Sequence, residues 1–170
     1  MKAFTIYPWF GFAFTKLGKN VENRGWQPSP RQLAHSEWVA IHSGVRKLRG
    51  GRHRDMGDLI DLIKDARTAG WEVDILGFDH LVFKRGDERV TYLDGKVQRS
   101  AVMAVAQYNG ATAGVDMPWR HPGNHQWRFS SVIPLPRPIP IRGQQGLWEL
   151  PGRILQYMVG QVPGAVLGGA

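Results

Sequence analysis

Four prolines at alternate positions, Pro134, Pro136, Pro138 and Pro140, decide more about this chain than any other short stretch. Each ring holds φ near −65° and removes a backbone donor. The segment from Pro134 to Ile141 is therefore extended, and it is neither a helix nor a central strand. Upstream, Gln126 to Val132 alternates apolar and polar residues as a strand does, and Ala101 to Tyr108 is an apolar run fit for a buried strand. Between them, Asn109 to Asn124 reads as a glycine- and proline-containing loop. The carboxyl-terminal third is thus sheet-forming, with Gly143 to Leu150 expected as a short helix and residues 163–170 as a frayed tail.

The opening residues follow a different rule. Lys2 to Tyr7 reads as a strand, and Pro8 opens a short apolar helix that Gly18 ends. Lys19 to Arg24 is a second strand and Trp38 to His42 a third, rich in β-branched residues. Met56, Leu59, Ile60, Ile63 and Ala66 then recur at helical spacing, with Asp55 as a cap, Asp58, Asp61 and Asp65 facing out, and Gly70 as the stop. Three short strands follow, Glu72–Leu76, His80–Arg85 and Arg89–Leu93, joined by hairpin chemistry. The expectation is a mixed α+β chain of 170 residues forming one domain, with a helix and β-meander inserted at about 45–98.

The chain carries 22 Lys and Arg against 14 Asp and Glu, a formal charge of +8. Most of the surplus is local. Arg46, Lys47, Arg49, Arg52 and Arg54 fall in nine residues with no acid, and without them the balance is 17 against 14. Gly50 and Gly51 make this a flexible loop rather than a helix face. Such a loop suits phosphate contacts that release counterions. There is no cysteine, which excludes disulfides, thiol catalysis and cysteine-ligated metals. The apolar stretch from Ala3 to Phe14 is too short to span a bilayer and no cleavage site follows it, so a cytoplasmic protein without membrane contact is expected.

The most informative constellation is Tyr7-Pro8-Trp9 followed by Gly18-Lys19-Asn20-Val21-Glu22-Asn23-Arg24-Gly25-Trp26. On an alternating strand Glu22 and Arg24 share one face and Lys19 takes the other. Glu22 can accept from the amino edge of a base, and Arg24 can hold Glu22 or grip a phosphate. Trp9 and Trp26 offer stacking faces, each worth ~1–3 kcal/mol if a base uses it. A structural ion pair with two core indoles is the alternative reading of the same residues.

These residues, with Trp38-Val39-Ala40-Ile41-His42-Ser43 and Pro138-Ile139-Pro140-Ile141-Arg142-Gly143-Gln144-Gln145-Gly146-Leu147-Trp148, resemble an ASCH (activating signal cointegrator homology) domain of the PUA-like superfamily. The resemblance covers roughly Met1–Ser43 and Ala101–Leu150. It implies a mostly antiparallel barrel of five to six strands with flanking helices, and a cleft lined by the Lys-Glu-Arg strand. It also implies a role with RNA or DNA. Lys19, Glu22 and Arg24 match the motif, and Gly143–Trp148 matches the second signature. Some small bacterial members are amidohydrolases on acetylated cytidine and others ribonucleases. In the amidohydrolases a Lys, a Thr three residues later and a distant Glu do the chemistry. Here the Thr position holds Glu22, and a carboxylate does not replace a hydroxyl nucleophile without a change of mechanism. The inserted segment has no counterpart in the minimal domain.

The expected function is a nucleic-acid-binding domain for RNA or single-stranded DNA, with no cofactor and no metal. Its contacts are Lys19, Glu22, Arg24, Trp26, His42, Arg46, Lys47, Arg49, Arg52, Arg54, Gln144 and Gln145, with Trp9, Trp26 and Trp148 as stacking candidates. A hydrolase using Lys19 and Glu22 on a modified cytidine or on RNA is the alternative, and a protein-interaction domain the further one. His121 and His125 lie four apart, but Pro122 and Gly123 forbid the helix that would align them and no third ligand is evident; with Asp116 they would make a metal-assisted nuclease only through contacts the sequence does not show. At least one of Trp119 and Trp127 is expected to be exposed.

Overall fold

In the computed structural model, residues 1–47, 53–112, 118–119 and 125–167 are described, those of His53, Arg54 and Asp55 without their side chains. The elements in order are β1 (Lys2–Ile6), α1 (Pro8–Lys16), β2 (Val21–Arg24), β3 (Trp38–Ser43), α2 (His53–Thr68), β4 (Glu72–Gly77), β5 (His80–Arg85), β6 (Glu88–Leu93), β7 (Ala101–Thr112), β8 (His125–Pro140), β9 (Leu147–Glu149), α3 (Gly152–Met158) and α4 (Gly164–Leu167). Six strands form a curled half-barrel in the order β2-β8-β7-β3-β1-β9. Only β1 and β3 pair in parallel; every other neighbour is antiparallel.

Alternation along the strands explains why this sheet is apolar on both faces. Phe4, Ile6, Val39, Ile41, Ala104, Ala106, Tyr108, Trp127 and Phe129 point into the curl and meet Phe14 of α1. Their sequence neighbours Ala3, Ala40, Val102 and Val105 point outward, where Ile154, Met158 and Val166 cover them. A third cluster joins Trp9, Phe12 and Leu17 to Leu59, Leu62 and Ile63 of α2 and to Leu81, Phe83 and Tyr92 of the three-stranded meander β4-β5-β6. Helix and meander are inserted in the chain between β3 and β7, which pair directly.

The proline segment is strand after all, but on one side only. Strand β8 runs 16 residues, and its proline-bearing half pairs with β7 while β2 covers only His125 to Arg128. The missing donors therefore face no partner strand. Other expectations need correction. Residues Leu147–Glu149 are a strand against β1, not part of a helix, because Leu147 turns towards the inner core and Trp148 towards the outer one. The segment after Pro163 is not frayed as far as Leu167: it forms α4, held by buried Val166. Helix α2 begins before Asp55, so that residue lies within its first turn rather than at its cap. Asp58, Asp61 and Asp65 are half-buried rather than turned to solvent, and Ile60, expected in the core, is exposed. Among the described residues, no helix is long and apolar enough to cross a membrane.

Candidate functional site

Strands β2 and β1 lie four places apart in the sheet order, yet the curl brings their side chains together. Arg24 Nη2 donates to Thr5 O at 2.7 Å across that gap, and Arg24 Nε lies 3.1 Å from Glu22 Oε1. The guanidinium also sits over Phe4 and Trp127, at 5.7 and 5.9 Å from their ring centres. Arg24 is thus the clasp at the open seam of the half-barrel, and the ion pair foreseen on β2 has a structural task. Asn23 donates to Trp119 O at 2.8 Å, which ties β2 to the segment between β7 and β8.

Outside the clasp lies a cleft of about 500 Å³ lined by Thr5, Ile6, Tyr7, Phe10, Glu22, Asn23, Arg24, Gly44, Val45 and Arg46. Three sequence features meet in it: the end of β1, the Glu-x-Arg of β2, and the first residues of the basic loop. Arg46 lies over Tyr7, its guanidinium carbon 4.8 Å from the ring centre, and its Nη1 donates to Tyr7 Oη at 2.9 Å. Its carbonyl accepts from Arg99 Nε, and Arg99 is in turn paired with Asp94 at 2.7 Å. The root of the loop is therefore anchored to the turn that ends the meander. Lys47 is exposed beside it. Arg49 and Arg52 lie outside the described residues, as does the side chain of Arg54.

Several expected contacts are placed elsewhere. Lys19 is not on the surface and meets no phosphate there: it is 2% exposed, with Nζ 5.3 to 5.4 Å from the ring centres of Phe10, Phe14 and Trp119. It precedes β2, so strand alternation does not govern it, and Gly18 at φ +74° turns it inward. Burial pushes its ammonium pKa down, opposed by the carboxylates of Glu22 and Asp65. Only the ring of Phe10 is shared by this cage and the cleft.

Trp9 is fully buried against Tyr7 and Phe10, and Trp148 is buried edge-on to His42, so neither is a stacking platform. Trp26 remains one, at 36% exposed, braced edge-on by Trp127. Trp119 and Trp127 are both buried, against the expectation for that loop. His42 lies behind the cleft rather than in it. Its Nε2 pairs with Ile141 O at 2.9 Å, burial lowers its pKa, and a Cβ on Gly143 would fall 2.4 Å from its ring. Gln144 and Gln145 are exposed, but no helix starts there to gather amides; the Gln144 carbonyl accepts from Thr5 Oγ1 at 2.8 Å. Ser43 donates to Gln98 O and is occupied. Among the described residues, no cluster of metal-ligating side chains exists; Asp116 and His121 lie outside them.

Phe10 is a cleft residue that the sequence reading gave no contact role, and Tyr7 stood in the constellation only as the neighbour of Trp9. The helical spacing of Pro8, which starts α1 one residue after Tyr7, was the available signal.

Lys19 gives the site a testable electrostatic signature. Its folded pKa lies below the 10.5 of an ordinary lysine, so between the two values the unfolded chain holds a proton that the folded chain releases. Stability should rise with pH across that window. Lys19→Met should remove this rise and raise stability at neutral pH, by on the order of 1 kcal/mol. Urea unfolding of both proteins from pH 7 to above the lysine value checks it. An unchanged pH difference curve would mean the amine is solvated.

No family model matches the chain, and no curated protein matches it either.

Proposed function

We propose that this chain is a nucleic-acid-binding domain of the PUA-like ASCH kind, which takes one base of RNA or single-stranded DNA into the cleft beside β2. The observation that carries the reading is Glu22. Its carboxylate is held by Arg24 and faces a 500 Å³ space whose rim carries Arg46 and Lys47 at the root of the basic loop. A fixed acceptor in a semi-apolar recess suits the amino or imino edge of a base. Phe10 and Tyr7 supply apolar walls, and the loop cations supply a phosphate-facing rim. Lys19 and Arg24 have structural and electrostatic roles in this reading, not phosphate contacts.

The test is a fluorescence-anisotropy titration with short single- and double-stranded RNA and DNA at two salt concentrations. Binding should be salt-sensitive and prefer single strands. Glu22→Gln, verified as folded, should weaken it about tenfold, the low end of a lost base-edge contact. Absence of salt-dependent binding to every oligonucleotide would overturn the proposal.

Lys19, buried beside Phe10 with its pKa lowered by burial, favours a second reading, a hydrolase in which Phe10 swings aside and the amine acts as a base. Strand shortening, or loss of an acyl group from a modified cytidine, in the same tubes would support it, provided Lys19→Met abolishes the change.

A further inference from the structure

A second concavity, larger than the Glu22 cleft, lies away from it. A groove of about 870 Å³ is lined by Arg137, Arg142 and Arg153, by Ile139 and Ile154, and by Tyr157, with no acidic residue among its walls. All three arginines are exposed, and among the described residues none has an acidic partner. Tyr157 is 65% exposed, unusual for a ring of that size with apolar neighbours at hand. Three like charges gathered at one groove repel one another, a cost that an anion removes.

The arrangement favours a row of phosphates over a single ion. Arg137 and Arg142 leave the backbone up to about 16 Å apart on an extended chain, and Arg153 comes from a separate helix. A proline-bearing strand edge, with Arg137 N already bonded to Gln161 Oε1, cannot accept an added peptide strand, which argues against capture of an acidic peptide by sheet extension. A short run of chain links the groove to the first site. Its wall continues from Arg142 through Gly143 to Gln144, whose carbonyl is bonded to Thr5 of the Glu22 cleft.

We infer that this groove is a second nucleic-acid contact, in which Arg137, Arg142 and Arg153 bind consecutive phosphates of the strand whose base enters the Glu22 cleft, and Tyr157 stacks on a flanking base. The inference rests on the reading of that cleft as a base site, and it makes the recognised ligand a strand of several nucleotides rather than a free nucleoside.

The experiment compares a trinucleotide with a dodecamer of the same type in salt-dependent anisotropy titrations, using the full chain and an Arg137→Ala, Arg153→Ala double variant. Both arginines are exposed, so the variant should keep its parent's melting temperature. The expected result is a loss of about tenfold for the dodecamer and a salt slope shallower by roughly 1.4, with the trinucleotide hardly affected. Tyr157→Ala should weaken the dodecamer alone. If the dodecamer binds the double variant as it binds the parent, the groove inference is wrong while the cleft reading stands. If the parent binds no oligonucleotide, both fall. If polyglutamate competes for the groove more tightly than the dodecamer and depends on the same two arginines, the groove serves an acidic peptide instead.

Discussion

Trp127→Ala should lower the unfolding free energy by about 3–5 kcal/mol, the usual range for removing a buried indole. The ring is fully buried on β8, edge-on to Phe4, Tyr108 and Trp26, and its Nε1 donates to Trp26 O at 2.9 Å. It also carries the Arg24 guanidinium. A chain of this size should then melt roughly 6–20 °C lower. Trp127→Phe should cost less, about 1–3 kcal/mol, since it keeps most of the packing and leaves the Trp26 carbonyl unpaired. Thermal melts by circular dichroism decide between them; an alanine variant melting within about 2 °C of its parent would show that the seam does not depend on this ring.

Arg24→Met comes next in size. It removes the counter-charge of a nearly buried carboxylate and the donor to Thr5 O, a hydrogen bond that ties β2 to β1. Breaking a buried pair costs about 3–5 kcal/mol; the guanidinium is partly exposed, so about 2–3 is expected here. The informative comparison is Arg24→Met combined with Glu22→Leu. If the single change is costly because Glu22 is stranded, the double variant should regain on the order of 1–2 kcal/mol. If instead the Thr5 bond is what matters, the double variant should be no better than the single. Denaturant midpoints give the answer, and oligonucleotide binding by the same proteins then separates a lost base contact from an opened seam.

The elements were legible where one period dominated. The α2 helix and the three meander strands announce themselves through spacing and turn residues, although on α2 Ile60 is exposed and the three aspartates are half-buried. The Pro8 start and Gly18 stop of α1 follow from backbone restrictions that no tertiary contact overrides. The charged cleft was half legible. Glu22 and Arg24 were visible as a pair, but the curl that sets them against Thr5 and Tyr7 joins residues distant in sequence, which periodicity does not encode. Lys19 illustrates the opposite limit. Its charge points to the surface, and it takes Phe10 and Phe14 of α1 together with the distant Trp119 to surround a buried ammonium with rings. Leu147–Glu149 reads as helix from the sequence because three residues carry no period, and pairing with β1 decides their form.

The position of β1 has a temporal consequence. This strand, made before every other strand of the sheet, sits between β3 and β9, and β9 comes from residues 147–149. On a growing chain β1 can find β3 early, but its other edge stays bare until β9, the last strand of the sheet in chain order, has left the ribosome. Pairings of such long sequence separation form slowly. The meander and α2 can assemble from local contacts in the meantime, giving a nascent chain whose inserted part is ordered before its main sheet. A stop codon shortly before Leu147 would leave that edge permanently uncovered and the Ile154–Met158 cover missing, so truncated products of this gene should be sticky rather than merely inactive.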